Sequence, residues 1–310
     1  VHLRLVGMAL LWGASWPAGR TLALAMPPLS GSAWRFTLAA VLLAAWAVWR
    51  QREWPQLTRK QWLGLALAGV IGIAGYAVFF MAALQRVEAS RAAVVVTTNP
   101  VFTTLLAAWL FKEKFNARIA LGMLCALVGA ATVLTQGAPW KVFTGGVGVG
   151  EWLLVGCIAT WVGYTLIARA LLAGIDSLAA TAITLVSGTA LLWVVALAVD
   201  GPAVASSSLT SLSAPGWLSM VFLAVGSTVL AYVWYFRGVA VLGAGTAASY
   251  ISLVPVFGVA SSVLVLGESL DASLLVGGAL AVAGVVLTNR AAVGKHNHGH
   301  GIDAMAPWLE

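Results

Sequence analysis

Charge is what this chain lacks. Of its 310 residues only 9% are Asp, Glu, Lys or Arg, while 61% are hydrophobic. A soluble domain carries about 25% charged residues. So few charges leave most of a soluble surface uncovered. Apolar runs of about 20 residues, the length that crosses a bilayer's hydrocarbon, fill nearly the whole sequence. The net charge of +7 therefore says nothing about nucleic acid. It has to be read loop by loop.

Histidine and cysteine are equally sparse. The four histidines, His2, His296, His298 and His300, all lie at the chain ends. A His-Glu-x-x-His helix, paired aspartates or a Ser–His couple would mark a membrane enzyme, and none is present. The HNHGH stretch reads as a solvated tail in preference to a metal site. Cys125 and Cys157 fall inside apolar runs and read as buried thiols. No cofactor is implied. No Asp or Glu sits securely in mid-membrane, Glu151 being the nearest. Proton-coupled pumps ordinarily hold such a group, so a facilitator or weakly coupled exchanger is expected. The first apolar run, from Leu3 to Leu24, has no small-residue cleavage motif and reads as a span.

What is present is a repeat. The stretch AAVVVTTNPVFTTLLAAWLFKEKFNARIALGMLCALVG from Ala92 lies without a gap over AASYISLVPVFGVASSVLVLGESLDASLLVGGALAVAG from Ala247. Pro100 then falls on Pro255, Glu113 on Glu268, Asn116 on Asp271, Gly122 on Gly277 and Gly129 on Gly284. Each copy reads as an apolar helix interrupted by proline, a polar turn, then a second apolar helix. Asn116 and Asp271 stand where that second helix needs an N-cap.

Ten spans are expected, near 3–25, 30–49, 62–83, 91–111, 116–135, 148–170, 178–199, 216–237, 244–266 and 272–290. With the N-terminus inside, the cytoplasmic loops hold about twelve Lys and Arg, against Arg86, Arg91 and Lys141 on the other side. Both termini are therefore expected in the cytoplasm. A unit of five spans forces its second copy to enter from the opposite face. The expected fold is an all-α membrane protein of two inverted five-helix repeats. The first repeat is 1–136, a Gly-rich connector 137–147, the second repeat 148–290, and a polar tail 291–310. The tail's last residues read equally well as appended sequence.

Pro100 and Pro255 each remove a backbone hydrogen bond inside a span. Paired interruptions point to a transport site, with the prolines as hinges. A packing kink is the alternative. Thr97 and Asn99 beside Pro100, and Tyr250 and Ser252 beside Pro255, are candidate orienting contacts. Thr and Ser also bond their own helix. Trp16, Tyr76, Phe79, Trp161, Tyr164 and Tyr235 are candidate walls, with core packing as the alternative. Trp16 in Ala14-Ser15-Trp16 matches Trp161 in Ala159-Thr160-Trp161. Arg35 is a candidate carboxylate contact, yet lies near enough to a span end to snorkel.

Paired five-helix units with such a proline, a Glu-bearing turn and a glycine-studded last helix resemble the EamA domains of the drug/metabolite transporter (DMT) superfamily. The motif stands as Pro100…Lys112-Glu113…Gly122…Gly129 and as Pro255…Gly267-Glu268…Gly277…Gly284. Lys112 occupies the place of a glycine, and Arg35 matches an arginine often seen in the second helix of such proteins. Within the family the chain is most similar to bacterial amino-acid exporters of the YddG type. The resemblance implies an inner-membrane exporter of small metabolites, most readily aromatic or large apolar amino acids, working by alternating access. Purines, amphipathic drugs or a channel are the other readings. A small-molecule substrate and the lipid bilayer are the implied partners. A monomer is expected.

Overall fold

The computed structural model describes residues 1–50, 56–110, 112, 116–142, 144, 147–171, 175 and 177–293. Glu113, parts of the Gly-rich connector and the tail from 294 lie outside the described residues. Among the described residues every regular element is helical. In a bilayer a helix satisfies its own backbone polar groups, which no open sheet can do. The chain begins with α1 (His2–Ala25), α2 (Pro28–Arg50), α3 (Arg59–Ala68) and α4 (Tyr76–Leu84). There follow α5 (Ala89–Val96), α6 (Asn99–Leu110), α7 (Ala117–Leu134), α8 (Val149–Leu171) and α9 (Ser177–Val199). The remainder are α10 (Pro202–Thr210), α11 (Ala214–Val221), α12 (Ala231–Leu242), α13 (Ala244–Ser249), α14 (Val254–Leu266) and α15 (Ala272–Val293). Among the described residues, seven stretches are long and apolar enough to cross a membrane, and Tyr250–Leu266 and Ala272–Thr288 are shorter apolar helices. The chain is a multi-pass, all-helical membrane protein.

The irregularities come in pairs. A π segment, Gly69–Gly75, joins α3 to α4, and another, Phe222–Leu230, joins α11 to α12. Thr97 and Thr98 part α5 from α6, and a 3-10 turn, Tyr250–Leu253, parts α13 from α14. The register that lays Pro100 on Pro255 lays the first π segment inside the second. It also lays the start of α5 on the start of α13, and α7 on α15. The prolines are not mid-helix kinks. Each stands in the first turn of the second helical piece, with the break just before it. There a missing N–H breaks no ladder bond and the fixed φ suits a helix start.

The expected caps form. Asn116 Oδ1 accepts from the Ile119 N–H and Asp271 Oδ1 from the Leu274 N–H, both at 2.8 Å. Gly267 ends α14 in the left-handed conformation at φ 68°. Lys112, its counterpart in the first copy, is held at φ 54°. The position demands a left-handed residue in both copies, and only one copy supplies glycine.

The chain divides into two compact units, each drawing on both sequence repeats. The first comprises Val1–Pro17, Val87–Trp152 and the described residues from Val233. Its seam is α7 against α15. A Cβ on Gly129 would come within 2.4 Å of Ala281 N and 2.5 Å of Gly277 O. One on Gly284 would come within 2.4 Å of Ala126 N and 2.5 Å of Gly122 O. The four repeat glycines thus meet one another's helix, small residues letting two backbones approach. The second unit comprises Ala18–Arg86 and Leu153–Tyr232. Its core packs α2 on α9, with Phe36, Leu43, Leu185 and Leu192 buried among alanines.

Candidate substrate site

In the second unit the first π segment builds an aromatic cluster. Its Gly69 and Gly72 lie where a side chain would collide with a neighbour, and at Gly75 a Cβ would sit tightly against the Thr160 methyl, 3.0 Å off. A Cβ on Gly72 would come within 2.3 Å of the Tyr164 ring, so that ring rests on bare backbone. Tyr76 opens α4 directly after the segment. It stacks on Phe80 with centroids 5.8 Å apart, and meets Trp161 of α8 at 5.7 Å. Trp161 in turn meets Tyr164 at 5.9 Å. Phe79 lies over Gly156, where a Cβ would approach its ring to 2.5 Å. Four of the expected wall residues are therefore grouped within this one unit.

Arg35 belongs to the same unit. It is only 7% exposed, so in this structure it does not snorkel to water. Its guanidinium carbon sits 4.2 Å from the Phe36 ring centroid and 5.3 Å from that of Phe80.

The first unit holds the interrupted helices. The Thr97 hydroxyl donates to the carbonyls of Ala93 and Val94, and that of Thr98 to Val95. Thr97 is thus bound to its own helix. Asn99 is buried beside the break, and Ser252 is half-buried in the corresponding turn. Tyr250 stands with its hydroxyl 2.6 Å from His2 Nδ1, at the start of α1. Trp16 is buried against Gly258, one turn beyond Pro255. Tyr235 meets Trp12 at 5.6 Å. Glu151 occupies the first turn of α8, at a helix end.

Among the described residues, three buried side-chain polar atoms have no hydrogen-bond partner: Arg35 Nε, Ser90 Oγ and Asn99 Oδ1. Buried polar groups are nearly always paired, because an unpaired one forfeits its hydration. Arg35 and Asn99 are legible as candidates from charge and polarity inside an apolar run. Ser90 is not, since a serine ordinarily bonds its own helix. The π segments are also missed by hydropathy, and only the first is marked by a three-residue glycine spacing, at 69, 72 and 75.

The sequence pattern of the EamA-like transporter family matches the chain twice, over residues 2–135 and 148–290. The chain belongs to the EamA-like transporter family. The uncharacterized transporter YyaM of Bacillus subtilis is 26% identical to this EamA-like chain over 286 residues, covering 92% of each. An uncharacterized transporter of Archaeoglobus fulgidus is 26% identical over 288 residues, covering 93% of this chain and 96% of that protein. A probable terminal-alkyne amino-acid exporter of Streptantibioticus cattleyicolor is 28% identical over 232 residues, covering 74% of each. A solved crystal structure with 22% sequence identity superposes with a TM-score of 0.65, covering 96% of this chain and 98% of that one. Family and relatives make this EamA-like protein a transporter, not an enzyme.

Proposed function

We infer that this EamA-like transporter exports amino acids, with aromatic or large apolar side chains preferred, across a bacterial inner membrane. Ten spans in two inverted repeats, 1–136 and 148–290, would carry it, with both termini in the cytoplasm. Alternating access would use the breaks before Pro100 and Pro255 as hinges. The shared register of breaks, π segments, caps and glycines supports the repeat. Equivalent halves entering from opposite faces are what two-sided access requires.

The observation that carries the substrate class is the orphaned Asn99 Oδ1. It is a buried acceptor without a donor, beside a helix break. An ammonium group supplies the missing donor. Within the second unit, the Tyr76, Trp161 and Tyr164 rings cluster, and such a surface favours a large apolar or aromatic group over a small polar one. The relative named as an amino-acid exporter agrees with this reading.

The test is competition in proteoliposomes holding the full chain. Unlabelled amino acids, purines and lipophilic amines compete against uptake of labelled phenylalanine. Aromatic and large aliphatic amino acids are expected to compete best, each buried CH₂ contributing about 0.8 kcal/mol. Uptake of labelled purines or amines, measured in parallel, with no uptake of labelled phenylalanine would overturn the reading.

A further inference from the structure

We propose that Arg35 binds an anionic group of the transported molecule, so that a carboxylate is obligatory for recognition. The proposal rests on the chain being a transporter, and it does not require the substrate to be an amino acid.

Arg35 lies in α2, well inside the second unit and 7% exposed. A buried guanidinium needs a counter-charge or a full set of acceptors, because it has left its water behind. Neither is supplied by the described residues. Nε is buried without a partner. The titratable groups facing it are two phenols, Tyr76 and Tyr232, which carry no charge at neutral pH. This unit has three acidic residues, Glu53, Asp176 and Asp200, and the first two lie outside the described residues. Asp200 Oδ2 accepts from the N–H and hydroxyl of Ser30, at 3.1 and 2.6 Å. The Phe36 and Phe80 faces recover part of the lost hydration, but a π face cannot accept the in-plane bonds of a guanidinium.

The surroundings choose the kind of anion. A planar fork of donors matches a carboxylate in two-point geometry. Phe80, which flanks the guanidinium, stacks on Tyr76, and Tyr76 touches Trp161. The ligand this describes has a carboxylate a few bonds from an aromatic or bulky apolar body.

The experiment measures binding to the purified full-length protein, by thermal shift and calorimetry, for matched pairs. The pairs are phenylalanine with phenylalaninamide, and 3-phenylpropionate with 3-phenylpropionamide. In each pair only the carboxylate is replaced. The carboxylate member is expected to bind more tightly by about tenfold or more, the scale of a charge-assisted hydrogen bond. In Arg35→Gln that preference is expected to vanish, the amide's own affinity staying the same. Arg35→Lys should keep a reduced preference, as a point charge without the fork. The wild-type pairs decide the matter even where a variant fails to fold. Equal affinity within the pairs, no carboxylate bound at millimolar concentration, or a preference that survives Arg35→Gln overturns the proposal. Binding of 3-phenylpropionate without phenylalanine would retain Arg35's role and reject the amino-acid reading. Phenylalanine and its amide binding equally would do the reverse.

Discussion

Glu268 caps a helix that begins at Ala89, far away in sequence. Its Oε1 accepts from the Ala89 N–H and its Oε2 from the Ser90 N–H, both at 2.8 Å. Glu88, the residue in the capping position, makes no side-chain cap and instead takes Arg91 Nε at 2.7 Å. Arg91 also donates to Val133 O, Ser273 Oγ and the Asp271 carboxylate. The turn after α14 is thereby tied to the start of α5 and the end of α7. Two orphan N–H groups and a positive helix end receive a carboxylate. Glu268→Gln should lower stability by roughly 1–2 kcal/mol, and Glu268→Ala by more. Thermal unfolding in detergent reads this. A melting point unchanged in both variants would show that the cap holds nothing.

The same turn sets an acid limit. The Ser273 hydroxyl, the Leu274 N–H and the Arg91 guanidinium hold the Asp271 carboxyl below the usual carboxylate range. A lowered value stabilises the fold above the unfolded pKa of about 3.9, and that contribution is lost as pH falls through the folded value. Melting temperature should therefore drop on acidification below about pH 4, and Asp271→Asn should flatten that limb. A variant with the same acid limb as the parent would assign it to other groups.

Two glycine positions give opposite predictions. Lys112→Gly should stabilise by about 1 kcal/mol, by relieving a left-handed residue with a side chain. Gly129→Ala should destabilise by about 1–3 kcal/mol, since its Cβ would meet backbone that cannot rotate away. Gly163→Ala is the control, its nearest neighbour a methyl group 3.3 Å off. Melting points that rank Gly129→Ala with Gly163→Ala would remove the seam.

How far the sequence can be read follows from which signals are local. Asn116 and Asp271 are readable as caps because capping needs only the next turn of chain. The glycines are readable as a register, but not as partners across α7 and α15, which is a tertiary fact. The prolines mark the breaks correctly, yet the break falls before each of them, since proline restricts the residue it follows. Tyr250 reads as a substrate contact, and the structure sets it beside His2, a contact no spacing encodes. Glu268 is readable as a turn residue, while the helix it caps lies in the other repeat. The π segments leave no trace in hydropathy, because one wide turn hardly disturbs an all-apolar face.

Orientation can be tested in a chain whose Cys125 and Cys157 are replaced by alanine. Single cysteines at Lys114 and Ser269 should react with an impermeant maleimide from opposite faces of oriented vesicles. Reaction from one face would remove the inverted repeat.

The most direct test of the account is counterflow. Proteoliposomes are preloaded with unlabelled phenylalanine and diluted into trace labelled phenylalanine. Alternating access predicts a transient uphill uptake of label that vanishes without preloading. Asn99→Ala should reduce this overshoot for every amino acid, whereas Tyr76→Ala or Trp161→Ala should change the order among them. Label entry that is indifferent to preloading, non-saturable and unaltered by all three substitutions would contradict the account and describe a channel instead.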